Sequence, residues 1–422
     1  MHSVTNAIPT GTIASIPAKA HAHRALICAA LANSPSTILL SRTSKDIDAT
    51  MDSLRGLGAH VVYENKVVTV TPGPVPAKGN VVPHESGTTL RLLLPVAASI
   101  CNDVDVDAKG RLPDRPLEPM LSEMKAHGVT FSQDKPPFTM TGRLQGGNFS
   151  MVGDVSSQFF SGLLLAAPQI GLSTITATSP LQSSDYVTLT TETMRNFGVE
   201  VEHTLPDTNI NEAFTVPFGA SFIGRDNYQI EGDWSNAAIW MVAAGMTGKP
   251  ITITGMNKNS VQADRRIMQV MIDAGCDVVW DGMNITVTGR ASKPIHADLE
   301  QMPDMLPVMA ALACSISGES SFVKGARLRL KESDRLIAVA NLVRDLGGTV
   351  REDGDDLYII GSGILKGGHG DCVNDHRLVM AGTLMALISE NPVTLQDSEA
   401  ITKSYPDFFE DWNLLGGDAH GI

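Results

Sequence analysis

The chain has 422 residues, 43% hydrophobic and only 18% charged, so it can bury the cores of roughly two to four domains. Its formal net charge of −14 and isoelectric point near 5.2 exclude non-specific binding to nucleic acid or anionic lipid, which the protein's own field repels. Its cations therefore need a local explanation. No apolar stretch reaches the ~18 residues of a membrane span. The opening run, Met1 to Lys19, lacks the cationic start and apolar core of a signal peptide, so a cytoplasmic protein is expected. Cys28, Cys101, Cys276, Cys314 and Cys372 are scattered without a CxxC spacing, which predicts buried thiols rather than a metal site or a disulfide framework.

One pattern returns along the chain. A helical segment ends at a glycine, a short β-like stretch follows, and then comes a strand of alternating threonine and apolar residues. The copies LRGLGAHV, MKAHGVTF, MRNFGVEV, MIDAGCDV, VRDLGGTV and NLLGGD place glycines at Gly58, Gly128, Gly198, Gly275, Gly347 and Gly416, about every 70 residues. Glycine suits a helix C-terminus because the backbone there often turns left-handed, where a Cβ is penalised. Strands with period-two alternation are predicted at Val67 to Thr71, Phe138 to Thr141 and Ile285 to Thr288. In the fifth copy Leu336, Val339, Leu342, Val343 and Leu346 fall at helical spacing and form one apolar stripe. The expectation is six mixed α/β modules, the last cut short by the C-terminus.

A polar junction leads into an apolar run in each module. In chain order these are Lys19 to Arg24, His84 to Arg91, Val152 to Gln158, its echo Glu231 to Ala237, Met302 to Asp304, and Asn374 to Arg377. Helix starts of this kind offer free N–H groups and the positive dipole end to an anion. Cations beside carboxylates recur at Arg111 to Arg115, at Lys331-Glu332-Ser333-Asp334-Arg335 and at Lys403. In the 331–335 run, spacings of three and four let Glu332, Lys331 and Arg335 share one helix face. Taken singly, these features also have plain readings. The 331–335 run can be an exposed ion-pair ladder, Arg111 and Arg115 a solvated turn, Ser156, Ser157 and Asp304 helix caps, and His376 a structural histidine. For His21-Ala22-His23 no third metal ligand is recognisable.

Seven segments in order, PAKAHAHRAL, ESGTTLR, RLPDRP, GDVSSQF, LKESDRL, NDHR and KSYPDFF, inside a six-fold repeat, resemble the enolpyruvyl transferases over nearly the whole chain. The resemblance implies an α/β fold of two domains, an inside-out α/β barrel with three modules per domain. Residues 16–228 would form one domain, and residues 1–15 with 229–422 the other, with ligands in the cleft between them. It implies transfer of the enolpyruvyl group of phosphoenolpyruvate to the 5-hydroxyl of shikimate 3-phosphate, in a monomer without metal or organic cofactor. Phosphoenolpyruvate would be held by Lys19, Gly87, Arg115, Gln158, Arg335, Arg377 and Lys403, with Gly87 giving its loop room for close approach. Shikimate 3-phosphate would meet Ala20, Arg24, Ser156, Ser157, Gln158, Ser183, Tyr186, Asp304, Arg327 and Lys331. Asp304 would polarise the hydroxyl and Glu332 handle the carbon proton, while Lys19 and His376 assist the departing phosphate.

The chain departs from the family pattern at Ala18 and Ala20, where hydroxyl residues are usual. Loss of a hydrogen bond to a charged group costs ~1.5–3 kcal/mol unless water or His21 compensates. A low-activity or ligand-binding homologue is therefore one alternative. A sister enzyme acting on a UDP-sugar is another, although its usual cysteine falls near Gly110 and is absent. The family's inhibitor glyphosate competes for the phosphoenolpyruvate site; Gly87 favours sensitivity, whereas Leu92 replaces a common proline and leaves the direction open.

Overall fold

The computed structural model describes residues 1–207 and 211–422. Its strands form six four-stranded sheets with one shared connectivity. In each, the first strand runs parallel to the second, the second antiparallel to the third, and the third antiparallel to the fourth. The predicted strands at 67–71, 138–141 and 285–288 all lie in these sheets. Threonines alternate because they meet across strands, as Thr174 and Thr215 do at 3.0 Å and Thr252 and Thr286 at 2.8 Å.

Two α-helices accompany each sheet among the described residues. They are α1 (Lys19–Ala30), α2 (Lys45–Gly56), α3 (Gly87–Ile100), α4 (Met120–Ala126), α5 (Ser157–Ile170) and α6 (Ser184–Asn196), followed by α7 (Trp234–Thr247), α8 (Ile267–Asp273), α9 (Leu306–Cys314), α10 (Arg335–Asp345), α11 (His376–Ala386) and α12 (Phe408–Leu414). The odd-numbered helices are interior: every residue of α9 is buried, as is α7 from Trp234 to Met246, and both are apolar all round. The even-numbered helices are amphipathic. On α10 the predicted stripe Leu336, Val339, Leu342 and Val343 is buried, while Ile337 stays exposed.

The sixth module corrects the expectation of truncation. Its third strand is His2–Val4, from the other end of the chain, pairing antiparallel with Val393–Gln396 and with Ala419–Gly421. Gly11–Ala14 likewise completes the fourth module beside Ile251–Thr254, and Tyr228–Gln229 completes the first beside Ser36–Leu39.

The chain divides into two compact units, Pro17–Ile230 and Met1–Ile16 with Glu231–Ile422. Each has its own hydrophobic core. In the first, α3 and α5 approach so closely that a β-carbon at Gly162 would lie 2.5 Å from the Arg91 carbonyl oxygen. In the second, Trp240 stacks on Trp412 with ring centroids 5.8 Å apart. All five cysteines are buried free thiols, and no described helix is long and apolar enough to cross a membrane.

The six repeat glycines have φ between +87° and +104°, so the left-handed turn predicted from the repeat is present in every module. At Gly58 (φ +104°) a β-carbon would also lie 2.3 Å from the Pro74 carbonyl oxygen, whereas at Gly282 (φ +57°) it would meet nothing within 4 Å. Gly58→Ala should therefore cost about 3 kcal/mol, from backbone strain plus overpacking. Gly282→Ala should cost only the ~1–2 kcal/mol of a left-handed alanine. Thermal unfolding of the two variants, compared at equal protein concentration, checks this order.

Candidate functional site

In the unit Pro17–Ile230, α1 begins at Lys19 behind an alanine. Ala18 is the N-cap, buried and extended, and supplies no side-chain bond to the helix. Lys19 Nζ lies 2.7 Å from Asp46 Oδ2, in the first turn of α2, where an acidic residue suits the helix dipole. One turn later the Arg24 guanidinium is only 1% exposed and is held by neutral groups. Its Nε donates to Thr190 Oγ1 (2.7 Å), its Nη1 to the Ala20 carbonyl (2.7 Å), and its Nη2 to the Tyr186 carbonyl (3.0 Å) and Ser161 Oγ (3.3 Å). Burial lowers this guanidinium to about 10, which leaves it charged at neutral pH.

His21, the expected compensator for the missing hydroxyl, meets a tyrosine. Its Nε2 sits 2.8 Å from Tyr228 Oη, and burial, followed by the Arg24 charge, lowers it to about 4. The ring is neutral at pH 7.

The start of α3 is built around Gly87. Ser86 caps the helix, accepting from the Thr89 N–H. A β-carbon on Gly87 would lie 2.5 Å from Arg115 Nη1 and 2.9 Å from its Cζ. The space freed by this glycine is filled by the Arg115 side chain. Arg115 ends the short 3₁₀ turn Leu112–Asp114, so the 111–115 segment closes a turn instead of starting a helix. Arg91 Nη1 donates to Gln158 Oε1 (3.1 Å), and Gln158 Nε2 donates to Thr88 Oγ1 (2.9 Å), joining α3 to α5. Ser156 is the cap of α5, as its plain reading held, and accepts from the Gln158 N–H, while Ser157 is buried at the first helical position. Ser183 stands ahead of α6 in the left-handed region (φ +54°) with no capping bond of its own, a conformation that costs a non-glycine residue ~1–3 kcal/mol.

In the unit holding Glu231–Ile422, Arg335 is the hub. It is 1% exposed, and its donors are shared among three carboxylates: Nε to Asp375 Oδ2 (2.9 Å), Nη1 to Asp304 Oδ1 (2.7 Å) and Nη2 to Glu332 Oε2 (2.6 Å). Lys331 Nζ also reaches Asp304 Oδ1 (3.1 Å), and Arg377 Nη2 approaches Asp304 Oδ2 (3.6 Å). Asp375 is fully buried; it caps α11 through the Arg377 N–H and accepts from Ser333 Oγ (3.0 Å). The His376 ring is buried, with Nδ1 3.9 Å from Asp375 Oδ1. Lys403 ends a 3₁₀ helix and donates to the Asn374 carbonyl at 2.8 Å. Arg327, on the turn Ala326–Leu330, lies close enough for its charge to disfavour protonated Lys331.

The 331–335 run meets in space for a different reason than the one expected. The helix α10 starts only at Arg335, capped by Asp334, so Lys331 and Glu332 precede it and share no helix face with Arg335. They are gathered by converging on Asp304 and Arg335. Asp304 is no cap; it lies in the 3₁₀ turn Pro303–Met305 and is bound by cations. Burial works to raise the Asp304 carboxyl, but the Lys331, Arg377 and Arg335 charges outweigh it and hold it well below the usual carboxylate range. Burial pulls Lys331 below its ordinary value despite its carboxylate neighbour.

Within these two clusters lie residues to which sequence reasoning gave no role: Asp46, Thr88, Arg91, Ser161, Thr190, Ser333 and Asp375. Asp46 and Asp375 each had a signal, an acidic residue at a helix start. The buried hydroxyls had none.

The EPSP synthase model, described as 3-phosphoshikimate 1-carboxyvinyltransferase, matches residues 7–412. The chain is 36% identical over 413 residues to the 3-phosphoshikimate 1-carboxyvinyltransferase of Clostridium kluyveri, covering 97% of this chain and 95% of that one. The chain belongs to the EPSP synthase family. A Methanocorpusculum labreanum protein of the same name is 35% identical over 418 residues, covering 97% of both chains. The solved EPSP synthase from Acinetobacter baumannii covers 100% of this chain with 99% of its own, at a TM-score of 0.82 and 23% identity, and shares the two-domain α/β fold.

Two predictions follow from this geometry. Gly87→Ala should displace the Arg115 guanidinium and, if Arg115 binds phosphoenolpyruvate as proposed below, raise its KM about tenfold or more, the scale of a misplaced binding group; steady-state kinetics read it. The second concerns acid. A carboxyl depressed in the folded state adds stability that is fully present above its unfolded value near 3.9 and is lost as pH falls toward the folded value. Asp304→Asn should lower stability at pH 7 and flatten its decline between about pH 4 and 2, as measured by urea unfolding along a pH series.

Proposed function

We infer that this member of the EPSP synthase family transfers the enolpyruvyl group of phosphoenolpyruvate to the 5-hydroxyl of shikimate 3-phosphate. Supporting the reading is the assembly, in a protein of net charge −14, of two buried sets of cations on residues that match the family along its length. The 5-hydroxyl oxygen bonds to C2 of phosphoenolpyruvate while C3 gains a proton. Loss of a C3 proton with cleavage of the bond between C2 and the bridging phosphate oxygen then releases phosphate, which leaves with that oxygen, and forms the enolpyruvyl ether.

Two carboxylates in unlike settings divide the proton work in this proposal. Asp304, held ionised by three cations, accepts from the 5-hydroxyl. Glu332 handles the C3 proton. Arg335 begins with its donors on side-chain carboxylates, so a ligand carboxylate gains a place on it by exchange, and taking Glu332's position at Nη2 turns Glu332 from Arg335 toward the carbon. Lys19, Arg115, Arg377 and Lys403 complete the phosphoenolpyruvate contacts. Arg24, with Ser156, Ser157, Ser183, Tyr186, Arg327 and Lys331, serves shikimate 3-phosphate. A monomer acting in the cytoplasm is part of the same proposal.

Phosphate release measured with purified protein tests it. Turnover should require both phosphoenolpyruvate and shikimate 3-phosphate, and UDP-N-acetylglucosamine should not replace the shikimate ester. Calorimetric binding of both ligands with no phosphate released would instead make the chain a ligand-binding homologue.

A further inference from the structure

Beneath the helix starts of the unit Pro17–Ile230 runs a buried chain of side chains that the reaction scheme leaves unused. His23 Nδ1 on α1 lies 2.7 Å from Thr50 Oγ1 on α2; Thr50 Oγ1 lies 2.7 Å from Thr89 Oγ1 on α3; Thr89 Oγ1 reaches Ser86 Oγ at 2.8 Å and the Asp46 carbonyl at 3.3 Å. His23, Thr50 and Thr89 have no exposed surface, and Ser86 has 2%. His23 Nε2 has no hydrogen-bond partner. A buried bare acceptor is tolerated better than an orphaned N–H, so the proton belongs on Nδ1. Donation then runs one way, from His23 to Thr50 to Thr89 to Ser86.

The two ends of this chain carry the groups assigned to phosphoenolpyruvate. Lys19 is one turn ahead of His23, and its partner Asp46 is one turn ahead of Thr50. Ser86 caps the turn that holds Gly87 against Arg115. The neighbouring Thr88 faces another way, to Gln158 on α5. The Thr88-Thr89 pair thus ties the start of α3 to α1, α2 and α5 at once.

We propose that the hydroxyl chain His23, Thr50, Thr89, Ser86 is a positioning device that fixes the starts of α1, α2 and α3 against one another, and so sets Lys19 and the Gly87–Arg115 pair for phosphoenolpyruvate. The assignment of ligand rests on the functional reading above. Helix packing alone is specified by apolar shape, which leaves rotation and sliding of a few tenths of an ångström inexpensive. Directional hydrogen bonds between the first turns remove that freedom where the anion is gripped.

Thr50→Val keeps the side-chain shape and severs the chain, whereas Thr50→Ser keeps the hydroxyl. The valine variant should lose about tenfold in kcat/KM for phosphoenolpyruvate, chiefly through KM, with KM for shikimate 3-phosphate little changed, and the serine variant should recover most of the loss. Amide exchange gives a readout independent of turnover. The Ala22 and Leu90 N–H groups, which close the first turns of α1 and α3 on the Ala18 and Ser86 carbonyls, should exchange faster in Thr50→Val than in Thr50→Ser. Thr89→Val and Thr89→Ser repeat the comparison if Thr50→Val does not fold. A folded valine variant with wild-type kinetics and exchange overturns the proposal, as does a loss that serine fails to restore. A wild-type protein without turnover counts against the functional reading, and the exchange comparison still decides the hydroxyl chain.

Discussion

Arg335 is a single positive charge with five donors, and three carboxylates from three segments of chain compete for them. Asp304 arrives ahead of α9, Glu332 from the turn before α10, and Asp375 from the cap of α11. Asp375, fully buried, would not remain an anion cheaply without it, whereas Asp304 shares the support with Lys331 and Arg377. Because a guanidinium is planar and its N–H directions are fixed, satisfying all three carboxylates at once sets the relative rotation of the starts of α9, α10 and α11. The cluster is therefore a structural joint, and on the proposed function its carboxylates hold the places that ligand oxygens would take.

The repeat explains why such joints arise at corresponding places. Each module places an interior helix beside an outer amphipathic helix and a sheet, with a left-handed glycine ending the outer helix. An interior helix buried on all sides has no water to satisfy its first N–H groups, so its start must end in polar company. Serine or aspartate supplies that company at α3, α5, α7 and α11. At α1 the cap is an alanine with no side chain to offer those N–H groups, and the polar company there is of another kind: Asp46 accepts from the Lys19 ammonium, and Arg24 donates to the Ala20 carbonyl.

The glycine period, the threonine alternation and the helical stripe of the fifth copy were legible because each is a local rule with a fixed spacing. What could not be read was whatever depends on pairing across long sequence separation. His2 to Val4 carries no mark that it completes a sheet with residues near 395 and 420. Spacing along 331–335 implies one helix face, yet Asp334 caps the helix and leaves Lys331 and Glu332 outside it, so these residues are neighbours for a different geometric reason. That the missing β-carbon of Gly87 admits Arg115, a residue distant in sequence, has no local mark. The hydroxyls of Thr50, Thr89, Ser161 and Thr190 look like ordinary helix residues in sequence; only burial turns them into obligatory partners.

Arg24 and Arg335 are both 1% exposed, and they solve the problem of a buried cation in opposite ways. Arg335 is surrounded by carboxylates, so a ligand gains its donors only by displacing an anion already there. Arg24 hydrogen-bonds two hydroxyls and two carbonyls, none of them charged, and burial pulls its protonation equilibrium down to about 10. Its hydrogen bonds are satisfied while its charge is not balanced by a bonded anion. A carboxylate arriving beside Arg24 adds the missing charge without breaking a side-chain ion pair, and one arriving at Arg335 must exchange for its equal. On the function proposed above, binding at the first would be additive and at the second substitutive, so that one ligand is only held while the other exchanges for an acidic side chain as it docks.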